Sequence, residues 1–158
     1  MYLANASGLR IAESANPQTL ETLGNFEGEG HWVRGVHVVG STAYIATSMH
    51  GDASWLQIID VSDPMAPVQI GIYRSTGGAQ DVSVSGDVAV LADRAAGIVV
   101  LDLSEPQNVR RVGYFRTKGR SSKVDIFGEL ALVSVDGDSG ARTLQVIRYL
   151  PKPLREPR

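Results

Sequence analysis

Short apolar runs alternate along this 158-residue chain with clusters of glycine, aspartate, serine and proline. In "VSVSG" (82–86) apolar and polar residues alternate, which is the period of a strand with two different faces. The runs "VLA" (90–92) and "VVLDL" (99–103) are more continuous, as expected for strands that are covered on both faces. No 10-residue segment shows a convincing helical period. The pattern therefore predicts an all-β protein built from short strands.

The strand pattern is repeated. Residues 58–71 read "IIDVSDPMAPVQIG" and residues 100–113 read "VLDLSEPQNVRRVG". Each segment begins with a strand, continues with a turn in which an acidic residue precedes proline, and ends with a second strand that contains glycine. Pro106 follows Pro64 by 42 residues, and Pro64 follows Pro17 by 47. A similar spacing separates the glycines Gly40, Gly86 and Gly128. Four short strands in each such unit is the size of a β-propeller blade.

The units predict an incomplete ring. If the strands of a blade are labelled a to d, the chain opens on strand b and ends on strand c, with fourteen strands in all. The predicted divisions are a partial blade at 1–27, blades at 28–75 and 76–117, a partial blade at 118–150, and a Pro-rich tail at 151–158. Propellers usually close with about 4–8 blades, and exposed strand edges pair with other chains. The chain is therefore expected to form about three and a half blades, each complete blade having four antiparallel strands. We expect the ring to be completed either by a second chain, which gives a homo-oligomer, or by further sequence of a larger propeller.

The repeat resembles a known family. The residues that carry the resemblance are "V-x-V-x-G-x-x-A-Y-I-A" in 36–46 and "L-x-I-I-D-V-S-D-P-x-x-P-x-x-I-G-x-Y" in 56–73. They are similar to the LVIVD-repeat family of β-propeller proteins, and the similarity extends over nearly the whole chain. It implies a bacterial or archaeal scaffold protein, often at the cell surface or secreted, with no shared catalytic residues. The last unit departs from the pattern, because "IRYLPKPLREPR" replaces the proline turn and the fourth strand.

Composition narrows the possible partners. The formal net charge is −2, which disfavours a nucleic-acid partner. The absence of cysteine excludes disulfides and thiolate chemistry. No apolar run approaches the ~20 residues of a membrane span, and "MYLANASGLR" lacks the features of a signal peptide. No cofactor is expected.

Two carboxylates recur at one position of the repeat. Asp60 and Asp102 each follow the apolar run of strand c. They are either a pair for acid–base catalysis or one hydrogen-bonding residue per blade at the end of a strand. The second interpretation is favoured because a residue that recurs in every unit belongs to the architecture.

Residues that break the repeat are the better functional candidates. The segment before each strand a runs near the central channel in propellers, and here its side chains differ from unit to unit. The candidate ligand-binding residues at this channel mouth are His31, Trp32, Arg34, Asp81, Lys118, Arg120 and Lys123. Arginine and lysine there are suited to holding a carboxylate or phosphate, and a tryptophan to stacking on a sugar or base.

The hairpins between strands b and c are a second candidate. Two of them are four residues longer than the third, and longer loops on a rigid scaffold often carry binding. The first long hairpin offers a recognition patch of His50, Asp52 and Trp55. The second contains "DGDSG", where Asp136 and Asp138 are weak candidates for a cation site. Asp-Gly is also the commonest way to make a tight hairpin, so no metal is expected.

The sequence favours a non-catalytic binding or protein-interaction scaffold, because no catalytic motif such as HExxH or GxSxG is present. Two alternatives remain open. One is a hydrolase or lyase at the channel mouth, which requires His31, Arg34, Asp81 and Lys123 to converge within hydrogen-bond reach. The other is a carbohydrate- or surface-binding module that uses Trp32 and Trp55.

Overall fold

The described residues of the chain fold into four antiparallel sheets with fourteen strands in total, in a computed structural model. The structure describes residues 1–5, 8–13, 19–28, 32–49, 53–137 and 139–149. The sheets contain three, four, four and three strands in chain order. The predicted all-β propeller blades are therefore confirmed.

Each sheet is an up-and-down meander of consecutive strands. Blade 1 contains β1 (Tyr2–Asn5), β2 (Gly8–Glu13) and β3 (Glu21–Phe26). Blade 2 contains β4 (Trp32–Val39), β5 (Thr42–Ser48), β6 (Ser54–Asp60) and β7 (Val68–Ser75). Blade 3 contains β8 (Asp81–Ser85), β9 (Val88–Ala92), β10 (Ile98–Asp102) and β11 (Arg110–Phe115), with a 3₁₀ turn at Pro106–Asn108. Blade 4 contains β12 (Arg120–Phe127), β13 (Leu130–Asp136) and β14 (Arg142–Arg148). Blade 1 thus lacks the innermost strand a, and blade 4 lacks the outermost strand d among the described residues.

The repeated glycines make the turn between strands a and b. Gly40, Gly86 and Gly128 have φ values of +58°, +55° and +58°. This left-handed conformation is open to glycine and costly for other residues, so each glycine fixes a two-residue hairpin. The glycine spacing in the sequence therefore marks the same turn in three successive blades.

Apolar side chains from consecutive blades form the core, in three clusters that each lie between two blades. Between blades 2 and 3, Leu56 and Ile58 of β6 cluster with Val82 of β8 and Leu91 of β9. None of the four is more than 3% exposed. Burying a side chain of this size contributes about 1.5–3 kcal/mol. A blade therefore depends on its neighbours for stability.

Glycines in the outer strands let the proline turn of the following blade approach. A Cβ at Gly24 would overlap with the carbonyl oxygen of Pro64, and one at Gly71 with that of Pro106. Both glycines lie beside β-bulges, where the pairing shifts by one residue. The recurring glycine and proline of the sequence are therefore two halves of one contact between blades.

The last blade keeps part of the repeat. The amide of Tyr149 donates to the carbonyl of Glu129 at 3.0 Å, as Val61 and Leu103 do to the corresponding a–b turns. Within the described part of the chain, no helix has the length and apolar character needed to cross a bilayer.

A candidate binding site at the channel mouth

Strands a of blades 2, 3 and 4 lie side by side, because β8 contacts both β4 and β12. Gly35 of β4, Asp81 of β8 and Lys123 of β12 hold one position of the repeat. A Cβ at Gly35 would overlap with the Asp81 carboxylate, and Lys123 Nζ lies 3.6 Å from Asp81 Oδ2. These three aligned positions therefore lie next to one another across the three strands.

Asp81 joins two blades. Its side chain is 15% exposed, whereas that of Lys123 is 64% exposed. Burial raises the pKa of Asp81, while the nearby Lys123 ammonium and the Val124 amide, which donates to Oδ2 at 3.3 Å, act in the opposite direction. The carboxylate is thus held between β8 and β12 by a charge and a backbone donor.

A β-bulge places Arg34. The pairing of β4 with β5 shifts between Val33 and Gly35, which leaves Arg34 as the extra residue of the bulge. Bulges redirect side chains, and here the Arg34 Nε donates to Ser48 Oγ at 2.9 Å. The guanidinium carbon lies 4.9 Å from the centre of the Trp32 ring, in a cation–π arrangement. These two contacts therefore hold the Arg34 side chain in one orientation, although it is exposed to solvent.

Trp32 and Arg34 form one wall of a cleft between blades 2 and 3, with a volume of about 360 Å³. The other side chains that line it are Ser48, Met49, Gln80 and Arg94, beside the backbone of Gly78. This volume lies within the range of small-molecule sites, roughly 300–1,000 Å³.

Arg94 was missed by the sequence analysis, which favoured the longer hairpins. It lies in the short hairpin between β9 and β10, with a φ of +44°. Its carbonyl accepts hydrogen bonds from the amides of Gly97 at 3.2 Å and Ser121 at 3.1 Å, which hold this unusual conformation. The available signal was its place in the repeat, because Ser48 and Asp136 stand at the same position and the three residues differ.

Asp93 precedes Arg94 in the short hairpin between β9 and β10 and is buried. It is 1% exposed, and its Oδ2 accepts hydrogen bonds from the Ser75 hydroxyl and from the Gly77 amide at 3.2 Å. Its Oδ1 is buried without a hydrogen-bond partner among the described residues. Burial raises the pKa of Asp93 to about 6, while the bonds from Ser75 and Gly77 oppose that shift. Through these hydrogen bonds Asp93 links Ser75 and Gly77, where the chain passes from blade 2 to blade 3, to the hairpin that carries Arg94.

The remaining candidates lie in several places. Lys118 and Arg120 are exposed at the start of β12, next to Ser121, which bonds to the Arg94 carbonyl. Trp55 is half-buried on β6, opposite Thr47 and Arg74. His31, His50, Asp52 and Asp138 lie outside the described residues.

Asp136 has a partner within the hairpin. Its Oδ1 lies 3.0 Å from Arg142 Nε, across the base of the β13–β14 hairpin. In the part of the chain that the structure describes, no cluster of three or more His, Asp or Glu residues is arranged to hold a metal ion.

Asp60 and Asp102 have the architectural role expected from their recurrence. Asp60 Oδ1 accepts a hydrogen bond from the Ser62 amide at 2.9 Å, and Asp102 Oδ1 from the Ser104 amide at 3.0 Å. The bond from the Ser62 amide is the main cause that lowers the pKa of Asp60. Each carboxylate thus begins the turn after strand c in its own blade.

Comparison with known proteins agrees with this repeat. The model of the LVIVD repeat matches residues 30–75 and 76–117, together more than half of the chain. The chain belongs to the LVIVD-repeat family. A search of curated proteins found no match for this LVIVD-repeat chain.

A solved structure shares the fold. A β-propeller chain in the "Crystal structure of Nidogen/Laminin Complex" is similar, with a TM-score of 0.59 and 12% identity. The similarity covers 83% of the LVIVD-repeat chain and 48% of the other chain. The LVIVD-repeat chain therefore spans about half the length of that neighbour, and at this identity the comparison shows the fold alone.

Proposed function

We propose that this chain is a non-catalytic binding scaffold and that its propeller ring is completed by a second copy. The observation that carries the proposal is a contrast in burial. Apolar residues are buried where one blade packs on the next, whereas apolar residues at the same positions of the repeat are exposed on the outer faces of blades 1 and 4.

The contrast is clearest on the face of blade 4 that points away from blade 3. Ile58 of blade 2 and Val100 of blade 3 are 0% and 4% exposed, whereas Val146 at the same position of blade 4 is 58% exposed. Leu144 on this end face is 66% exposed, whereas Leu56 and Ile98 at its repeat position are fully buried. Adjacent exposed apolar groups of this kind mark an interaction surface.

Blade 1 shows the complementary contrast on its own end face. Met1 and Leu3 are 43% and 36% exposed, although they hold the repeat positions of Ala43 and Ile45, which are fully buried. Inside the arc, residues at these two sets of positions face one another across each blade boundary. Blade 4 of one copy is therefore suited to pack on blade 1 of another.

Two copies supply enough blades for a ring. Each partial blade is a separate sheet, so a pair of chains provides eight sheets. Eight blades lie within the range of known propellers. Two copies related by a twofold axis close such a ring through two identical head-to-tail contacts.

The contacts at the mouth favour binding over catalysis. The Asp81 carboxylate is neutralised by Lys123, while Arg34 is held by Ser48 and Trp32 instead of joining them. Side chains that differ between blades are here presented by a rigid scaffold, which is how binding surfaces are commonly built.

The head-to-tail contact is testable by cross-linking, because the chain contains no cysteine. The variant Leu3→Cys/Val146→Cys carries one thiol on each end face. With a short bis-maleimide reagent we expect it to form a covalent dimer on a denaturing gel, since the two positions meet across the proposed boundary.

The single variants Leu3→Cys and Val146→Cys are the controls. In the proposed ring, Leu3 of one copy and Leu3 of the other lie at different contacts between the copies, and the same holds for Val146. Neither single variant should therefore form a covalent dimer. Equal dimer formation by the single variants, or none by the double variant, contradicts closure by a second copy. The second result is expected if further sequence of a longer propeller covers these faces.

A further inference from the structure

We propose that the cleft between blades 2 and 3 binds the oxyanion of a small ligand, a carboxylate or a phosphate group, between Arg34 and Arg94. The inference rests on the proposed binding function. It does not depend on ring closure, because both walls of the cleft come from one chain.

Arg34 is prepared to bind an anion. Its Nε is engaged by Ser48 Oγ at 2.9 Å, and its planar group lies over Trp32. The terminal nitrogens of a guanidinium held in this way point in a fixed direction. Less side-chain entropy is then lost when they form the paired hydrogen bonds that carboxylates and phosphates accept.

Arg94 approaches from the opposite wall on a constrained backbone. Its φ of +44° is the one positive value at a non-glycine residue in the described part of the chain. Bonds from Gly97 and Ser121 to its carbonyl maintain the conformation. Backbone strain of this kind is concentrated at functional sites, and here it presents an exposed arginine to the cleft.

Among the described residues, the lining of the cleft contains two arginines and no acidic side chain. The ion pairs between described residues are Arg110–Glu105, Lys123–Asp81 and Arg142–Asp136, so Arg34 and Arg94 form none of them. Two guanidinium groups at one small cavity attract an anion and bind it most favourably when they share it.

The remaining walls determine the kind of ligand. Met49 and Trp32 provide an apolar surface beside the arginines. The volume of about 360 Å³ admits a compound of a few hundred daltons at most. The ligand class is therefore a small organic acid or phosphate ester with an apolar or sugar part that packs on these two side chains.

The test uses the fluorescence of Trp32 in the full chain. The chain has two tryptophans, so Trp55→Phe leaves Trp32 as the reporter. This protein is titrated with inorganic phosphate and, separately, with acetate, each against sodium chloride at matched ionic strength. We expect a saturable change in emission with at least one of the two anions, and which anion saturates identifies the phosphate or the carboxylate source.

Substitution of either arginine separates specific binding from general attraction. Arg34→Gln and Arg94→Gln should each raise the dissociation constant about tenfold or more, since each removes hydrogen bonds to a charged group. The matched control is Arg111→Gln on the outer strand β11, which should bind as the parent does. Circular dichroism checks that each variant remains folded.

Two results would overturn the inference. One is titration curves for both anions that superimpose on the sodium chloride curve. The other is unchanged binding in folded Arg34→Gln and Arg94→Gln. Neither result bears on the cross-linking of the end faces, so failure of the cleft and failure of ring closure are distinguishable.

Discussion

Asp93 is the residue whose environment is least expected from the sequence. In the sequence it is one more acidic residue after an apolar strand, in "VLAD". In the fold it is buried with two donors on one oxygen and none on the other among the described residues. A buried carboxylate with incomplete hydrogen bonding is costly when charged, so Asp93 makes the stability of the mouth depend on pH.

We predict that Asp93→Asn stabilises the chain at neutral pH. The pKa of Asp93 is about 6 in the folded chain and 3.8 ordinarily, so the folded state binds more protons between these values. Stability is therefore lost as the pH rises from about 4 to 6, and the full penalty, on the order of 3 kcal/mol, applies above that range. The asparagine variant has no such charge.

Urea unfolding of both proteins at pH 4 and pH 8 measures this effect. The variant's advantage over the wild type should be small at pH 4 and largest at pH 8. Comparing the two proteins at each pH cancels the titration of their shared groups. An advantage that is the same at both pH values would show that Asp93 is not the titrating group.

For individual residues, the sequence indicates which positions differ between the repeats, but not which atoms those residues contact. Arg34, Asp81 and Lys123 were singled out because they break the repeat; Arg34 lines the cleft, whereas Asp81 and Lys123 pair with each other. Arg94 was not, although it breaks the repeat as well; its backbone conformation depends on a tertiary hydrogen bond from Ser121, 27 residues away, which the sequence does not reveal. The bulge that redirects Arg34 is likewise a feature of pairing that no local pattern reveals.

The elements of the fold were predictable because each strand and turn repeats. Alternating valines gave the strands, and glycines at a fixed spacing gave the a–b turns. The glycine in strand d repeats as well, but its contact is not visible in the repeat. At Gly71 the structure shows a bulge and the close approach of a proline carbonyl oxygen of the following blade.

We predict that Gly71→Ala destabilises the chain much more than Gly113→Ala. A Cβ at Gly71 would overlap with the backbone of Pro106, which cannot move without shifting blade 3. Overpacking of this kind costs about 1–3 kcal/mol. At Gly113 the nearest described atom is Val100 Cβ at 3.2 Å, so a shift of a few tenths of an ångström relieves the contact and we expect a cost below about 1 kcal/mol.

Thermal or urea unfolding of the two alanine variants compares these costs directly. Both glycines have the same place in strand d, so any difference in intrinsic strand propensity cancels between them. Equal destabilisation would mean that the proline contact contributes little to holding the blades together.

On the scale of the whole molecule, the described residues form an arc of four blades whose two end faces are exposed. The count of strands indicated an incomplete ring from the sequence, and the four separate sheets agree with it. What covers the end faces could not be predicted from the sequence, because the strand pattern of a blade is the same whether or not another blade packs on it. Their exposure becomes visible only when the blades are placed in order.

In the proposed ring, the exposed side chains of Leu144 and Val146 would be covered. Covering them would stabilise the assembly through the same kind of contacts that hold the internal blades together. We therefore expect the end faces to act as a pair, so that a charge on one of them, as in Val146→Lys, prevents assembly without unfolding the inner blades.

The most direct test of closure by a second copy is the solution mass of the 158-residue chain, measured by light scattering after gel filtration. We predict a single species with the mass of two 16.9 kDa chains, and a species of one chain for Val146→Lys. A wild-type chain that is soluble, cooperatively folded and monomeric would contradict this account. Aggregates whose size grows with concentration would contradict it as well, since open ends that do not close are expected when the rest of a longer propeller is missing.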